Sequence, residues 1–475
     1  MCVLGAAICV GGPSSWAAAP VKKTNFLVVF VRGLGFSDLG CYGGELQTPY
    51  VDYLAGHGVR FTQAYHAAGG GGTEAALLSG FYPEHVLRSK TGGDSPVVNE
   101  APEQPGWARW LPESLKSAGY RCYHSGAWAL GPVPRELGYE RAFTVHPGGV
   151  QRLDDQLAAG TPAENGVRAE EPVADRMCEF LQTHAQQSAG KPFFAWVAFD
   201  GGGGVPQDEV PREEKPAGRF DAGRESVSRA RLERLWEMGM LLNAELSTVS
   251  ASVPASDLLQ RGEAAPSEFQ KKMEAHAARV ERVDAQLGRI LEQIKAMGAW
   301  DQTAVFVLSA PAEGAVPLHA PLRESACGLH EAGIATPLIV HWPAGIRARG
   351  DTREQFVHAV DLTPTCFKIA GLLWPKKVGA LPVPAPDGMD LTAVLRENKA
   401  LAQRALWWGL AGSRAFRLGD WKWVAPRDRP VELYYLKEDR SEMRDLAEAN
   451  FERVKEMEAQ WTRMAARFRA DWGEN

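Results

Sequence analysis

Short apolar runs alternate along this chain with stretches whose apolar residues recur at helical spacing. Val28-Val29-Phe30-Val31, Phe193 to Phe199, Ala304 to Leu308 and Leu338-Ile339-Val340 are apolar runs of strand length bounded by breakers. Runs of that kind suit strands of a sheet covered on both faces. Between the second and third lies a long helical pattern, in which Phe269, Met273, Val280, Leu287, Ile290, Leu291 and Ile294 mark one face. Ser267, with Gln270 three residues later, predicts a capping-box start for that helix. Gly298 predicts its end, and Asp301-Gln302 leads into the next strand. Alternation of this kind predicts an α/β fold, a mostly parallel sheet sandwiched by helices.

Two stretches break the rhythm. Residues 207–265 are charge-rich and interrupted by proline, with one helical piece around Arg231 to Leu246 that carries Leu232, Leu235, Met238 and Leu242. They form an excursion from the main domain. Residues 373–387, rich in Pro, Gly and Lys, predict a linker. After it, residues 388–475 predict a smaller α+β subdomain of a few antiparallel strands and a final amphipathic helix from about Asn450 to Trp472. No internal repeat is visible, and the low-complexity pieces are glycine runs at 69–72 and 201–204.

Composition narrows the setting. The 475 residues are 45% hydrophobic and 23% charged, which is ordinary for a globular chain. A formal net charge of -6 gives no electrostatic case for nucleic acid and mildly repels sulfated polyanions. No apolar run is long enough to span a bilayer. Val3 to Val10 followed by Ala17-Ala18-Ala19 resembles a secretory h-region with a small-residue cleavage site, although no basic n-region precedes it. A signal peptide over residues 1–19 and a secreted or periplasmic location are the expectation. Cys2 and Cys9 fall in that segment. Cys41, Cys122, Cys178, Cys327 and Cys366 form an odd set without paired spacing, neither a disulfide framework nor a zinc site, and read as small buried residues.

The words between these elements are more specific. Asn25 to Val31 leads into Arg32-Gly33-Leu34-Gly35 and then Asp38-Leu39-Gly40-Cys41-Tyr42-Gly43-Gly44; Thr48-Pro49-Tyr50-Val51-Asp52 and Gly58-Val59-Arg60-Phe61-Thr62 follow. Ala64-Tyr65-His66-Ala67-Ala68 precedes Gly69 to Gly72, Thr73, Glu74 and Ala75-Ala76-Leu77-Leu78-Ser79-Gly80. Gly126-Ala127-Trp128-Ala129-Leu130-Gly131 comes next, and Arg417, Gly419-Asp420, Trp421-Lys422 and Glu432-Leu433-Tyr434 close the chain. Together these segments resemble the type I sulfatases of the alkaline phosphatase superfamily over nearly the whole length. The resemblance implies an α/β domain over residues 24–372 and the smaller subdomain after it.

The resemblance also implies four chemical requirements. The family's nucleophile is a cysteine converted to formylglycine within a Cys-x-Pro-x-Arg run. Gly70 stands at the cysteine position, and Glu74 replaces the bracing arginine. A calcium ion is expected on an Asp-Asp pair and a later Asp-Asn pair, where this chain has Arg32 and Gly33, then Ala310 and Pro311. No oxygen side chain remains for a hard cation. Arg32 adds a like charge: at 4 Å and an effective dielectric near 20, two unit charges repel by roughly 4 kcal/mol, and a dication by about twice that. The lysine and histidine of the Trp128 motif correspond to Ala127 and Ala129. Ala326 takes the place of a second lysine, and Gly203 or Gly204 that of a further histidine. Replacement by Gly and Ala is consistent, because unpaired Lys or His left in a pocket without metal and sulfate would cost several kcal/mol.

The expectation is therefore a pseudosulfatase with no catalytic residue and no metal, retaining a vestigial pocket of Arg32, Thr73, Glu74 and Trp128. Its role would be to bind a glycan or another protein, or to regulate a true sulfatase. The alternative is an active sulfuric-ester hydrolase acting on sulfated glycans. Thr73 could replace the nucleophile, but an activated hydroxyl needs a base or metal, and a helix N-cap hydroxyl is the simpler role. His66, His124, His319 and His330 match no ligand spacing and read as structural. Gly69 to Gly72 could cradle an anion, a slack loop being the favoured alternative. Arg32 and Glu74 reverse the charges expected at their positions, which predicts an ion pair between them, with Glu74 in the first helical turn.

Overall fold

The computed structural model describes residues 23–88, 102–145, 151–154, 156–157, 170–200, 218–241, 266–310, 319–322 and 328–473. At its centre the strand Asn25–Arg32 lies between Phe193–Asp200 and Thr303–Ala310, parallel to both. Outside Phe193–Asp200 come Arg121–Ala127 and Arg141–Val145, also parallel. Among the described residues the sheet has eleven strands, and its far side turns mixed. Ala335–His341, which contains the Leu338-Ile339-Val340 run, is antiparallel to Thr303–Ala310 and to Val59–Tyr65.

Every residue of the central strand from Phe26 to Val31 is buried, so its apolar run serves two faces at once. Leu27, Val29 and Val31 join the core formed with the helices Glu170–Gln187 and Pro266–Ala296. Phe26, Val28 and Phe30 join the opposite core, with the Gly70–Ser79 helix. Each such side chain contributes about 1.5–3 kcal/mol relative to an exposed one. The alternation also fixes where Arg32 points: it continues the Phe26, Val28, Phe30 series.

The long helix buries all seven residues of its predicted face. Its start differs from the capping-box expectation. Ser267 lies within the helix Pro266–Ala296 rather than at its cap, and the Gln270 side-chain amide donates to Asp221 and Glu274. Gly298, at φ 67, ends it. The excursion helix runs over Gly223–Glu237, earlier than its apolar spacing suggests. Gly239 takes φ 65, and the amide of Met240 bonds the carbonyl of Leu235, a left-handed stop that ends the helix before Met238. Leu232 and Leu235 are buried and Met238 is exposed; Leu242 lies outside the described residues.

That helix carries Arg231, fully buried, into the segment after the central strand. Its guanidinium donates to Asp38 at 2.6 Å and to both oxygens of Glu45 at 2.6 and 2.8 Å. Asp38 also accepts from Gly35 N and faces His276 Nε2 at 2.8 Å.

The C-terminal subdomain is a four-stranded antiparallel sheet, Ala405–Leu410, Ser413–Leu418, Trp421–Ala425 and Glu432–Tyr435, followed by the helix Phe451–Asp471. In the crossing before it, Lys377–Val378 pairs with Leu381–Pro382 as a short ribbon. Cys41, Cys122 and Cys366 are buried free thiols, whereas Cys178 is only half-buried on an outer helix. Cys327 and the signal-like segment lie outside the described residues. No described helix is long and apolar enough to cross a membrane.

Candidate functional site

Three parallel strands end together, with Arg32 aligned to Asp200 on one side and to Ala310 on the other. Gly33 turns the chain away at φ 87, a conformation that favours glycine, and its amide donates to Ala310 O at 2.7 Å. A fourth strand end brings Gly126, Ala127 and Trp128. Gly126 takes φ 120, and a Cβ there would lie 1.9 Å from Ala198 O, so only glycine allows this approach. Trp128 donates from Nε1 to Pro132 O at 2.8 Å and meets His124 and Tyr139 edge-on. The loop it stabilises turns the amide of Ala129 towards the Gly70–Ser79 helix.

Glu74, on that helix, is fully buried and closes the arrangement. Its Oε1 accepts from Arg32 Nη2 at 2.6 Å and its Oε2 accepts from Ala129 N at 2.8 Å. The Arg32 side chain keeps 18% exposure, so the pair has one wet end and one dry end. Burial opposes charge on Arg32, but Glu74 and then Asp200 outweigh it, and the guanidinium is held more firmly protonated than usual. Burial raises the Glu74 carboxyl above its ordinary value, opposed by Arg32 and by the Ala129 amide. The expected ion pair is present.

Its setting corrects three expectations. Gly70 is the first helical residue and no acidic residue lies in the first turn, so Glu74 sits beyond the stretch where the helix dipole acts most strongly. Gly70, Gly71 and Gly72 form that first turn and are not a slack loop. Thr73 is not the N-cap: Gly69 is, at φ 91, and the buried Thr73 hydroxyl donates back to Gly69 O at 2.7 Å. With four small residues opening the helix, no side chain marks its boundary in the sequence.

The other assigned positions are partly visible. Ala127 and Ala310 are buried and Ala129 is half-buried. Gly203, Ala326 and Pro311 lie outside the described residues. Each of the histidines has its own hydrogen-bond partner. His66 Nδ1 accepts from Ala68 N, and burial together with His319 lowers its pKa to about 3. His319 Nδ1 accepts from Phe36 N, His124 Nε2 faces Gly126 O, and His330 Nε2 faces Glu432. Among the described residues, no group of three or more His, Cys, Asp and Glu is placed to hold a metal ion.

Sequence reasoning missed Asp200, Tyr139 and the Ala129 amide. Asp200 had a signal, since it ends an apolar strand run as Arg32 does. Among the described residues the buried Tyr139 hydroxyl has no hydrogen-bond partner, and burial, then Cys122 and Glu74, raise its pKa. Arg32 Nε is likewise buried without a partner among the described residues.

A parallel-centred sheet of this topology, with an antiparallel sheet appended, defines an α/β protein whose strand ends converge on one site. The chain matches the Sulfatase family model over residues 24–372 and belongs to the sulfatase family. Relatives include an uncharacterized sulfatase of Schizosaccharomyces pombe, 25% identical with 93% of each chain covered. An arylsulfatase of Klebsiella aerogenes is 25% identical, covering 79% of this chain and 93% of its own. Among solved structures, the PsFucS1 sulfatase from Pseudoalteromonas sp. superposes with a TM-score of 0.66 at 18% identity, covering 96% of this chain and 92% of that one. Ps i-CgsB in complex with k-i-k-neocarrahexaose gives 0.68 at 19%, covering 94% and 93%. The fold is the alkaline-phosphatase-like fold of sulfatases.

Proposed function

We propose that this sulfatase-family protein is a pseudosulfatase that binds a glycan or a protein partner, or regulates an active sulfatase, without turning over sulfate esters. The observation that supports this most is the buried ion pair of Arg32 and Glu74 at 2.6 Å, a cation and an anion satisfying each other. The resemblance assigns those two positions to a calcium ligand and to the residue bracing the nucleophile. At the nucleophile position Gly70 offers no side chain. Thr73, the nearest hydroxyl in sequence, donates its proton to Gly69 O rather than to a base.

The residues do not fit calcium. Arg32, Gly33, Ala310 and Pro311 supply no side-chain oxygen, and Arg32 supplies a cation. What persists is a pocket of Arg32, Thr73, Glu74 and Trp128 on an intact scaffold, in a chain whose first residues resemble a signal for export to a secreted or periplasmic location.

The second reading, an active sulfuric-ester hydrolase on sulfated glycans, is favoured by the likeness to an arylsulfatase along 79% of the chain. Aryl sulfate assays on protein co-expressed with a formylglycine-generating enzyme separate the two. The proposal expects no turnover. Hydrolysis that disappears in Thr73→Ala would overturn it and identify a replacement nucleophile. Binding screens with sulfated and unsulfated glycans then identify the ligand class.

A further inference from the structure

The two oxygens of Glu74 are held as the oxygens of a bound carboxylate would be. One faces a guanidinium at 2.6 Å and the other a backbone amide at 2.8 Å, donors from two different elements that converge on one acceptor group. Among the described residues, Arg32 Nε is a further buried donor without a partner. The Arg32 end keeps contact with solvent, while the Glu74 stem rises from the dry side, on a helix whose face from Ala75 to Ser79 is wholly buried. A cation and an amide on one oxyanion, with a solvent-facing side, are the parts of an anion-binding site.

We propose that Glu74 is an internal ligand: its carboxylate fills a carboxylate-class anion site formed by Arg32 and the Ala129 amide, and so closes that site to external anions. This rests on the reading of the pocket as non-catalytic, and the two can fail separately. The geometry favours a small planar carboxylate over a larger oxyanion, because the two held donors address one oxygen each and the space is that of a single side-chain carboxyl group. Charge completes the case. With Glu74 removed, Arg32 would lose the carboxylate it holds at 2.6 Å, and a small anion entering from the exposed end would restore that partner.

The test is rescue by acetate. Thermal unfolding of the full chain is followed in sodium acetate and in sodium chloride at matched ionic strength and pH, for the wild type, Glu74→Ala, Glu74→Gln and the double variant Arg32→Met with Glu74→Ala. The expected result is a saturable acetate-dependent rise in the midpoint of Glu74→Ala alone. Wild type and Glu74→Gln keep the site filled, and the double variant lacks its cation. If Glu74→Ala does not fold in chloride, the yield of folded protein on refolding in acetate is the readout, and recovery supports the proposal. An equal response of Glu74→Ala and wild type, or an acetate effect that persists in the double variant, overturns it. Aryl sulfate turnover by the wild type would instead sink the non-catalytic reading and leave the acetate result standing.

Discussion

Lys422 and Glu331 meet at 3.0 Å with neither side chain exposed, and this contact joins the C-terminal sheet to the main one. Glu331 opens the short turn before the strand Ala335–His341, and Lys422 lies on the strand Trp421–Ala425. Lys422 also reaches Glu442 at 2.9 Å, while Arg440 and Tyr65 complete the shell of Glu331 at 3.3 and 2.7 Å. Burial alone would raise the Glu331 carboxyl, but Lys422 and Arg440 outweigh it and hold it below the usual carboxylate range. Lys422→Met would leave two buried carboxylates sharing a site without their common cation. The expected loss of stability is about 3–5 kcal/mol in urea denaturation. A loss below about 1 kcal/mol, the range of an exposed pair, would show that the cluster does not fasten the subdomain.

The Arg32–Glu74 contact carries its own prediction. Arg32→Met, Glu74→Gln and the double variant form a cycle whose coupling energy is expected at roughly 1–3 kcal/mol, because the two groups are in direct contact. Chemical denaturation of the four proteins measures it. Strictly additive effects would mean that the pair contributes nothing specific.

Calcium retention is a separate matter, settled by elemental analysis. After dialysis, purified protein is expected to keep no stoichiometric calcium, since Arg32, Gly33, Ala310 and Pro311 provide no carboxylate. One tightly held calcium per chain would contradict that expectation.

A pH dependence follows from His341. Its ring is packed against Trp300 at 4.7 Å, and burial, with smaller contributions from His57 and Arg349, lowers its pKa from 6.5 to about 4. The unfolded chain takes up a proton below about 6.5 that the folded chain refuses until about 4. The neutral ring thus contributes fully above the upper limit, and stability falls as pH drops through the window, by up to roughly 1.4 kcal/mol per pH unit. In His341→Phe that component is absent, so the difference between variant and wild type isolates it from other titrating groups. Parallel stability profiles between pH 4 and 6.5 would refute the assignment.

Much of the scaffold was legible because its signals are local. The central strand shows itself as an unbroken apolar run, and the long helix as a stripe ending at Gly298. The Arg32–Glu74 pair was legible too, as a reversal of charge at two positions whose segments the fold brings together. What escaped was either long-range or unsigned. Nothing near Arg231 in sequence indicates that it ends beside Asp38, a partner on another element. Glycine and alanine carry no side-chain signal for a helix start, which is why Glu74 and Thr73 were each placed one turn too early. The Ala129 amide belongs to the backbone, and no residue code reports where a backbone amide points.

Arg231 has a practical consequence for anyone reshaping this protein. A helix that departs from the main domain and returns invites trimming, yet its arginine supplies the positive charge for Asp38 and Glu45 from inside the fold. Gly43 is packed so closely that a Cβ there would sit 3.0 Å from the Arg231 carbonyl. Cutting the helix away would leave acidic side chains in a hole lined for a guanidinium. A shortened version therefore needs a rebuilt segment between Gly35 and Glu45, with Asp38 and Glu45 replaced in the same step.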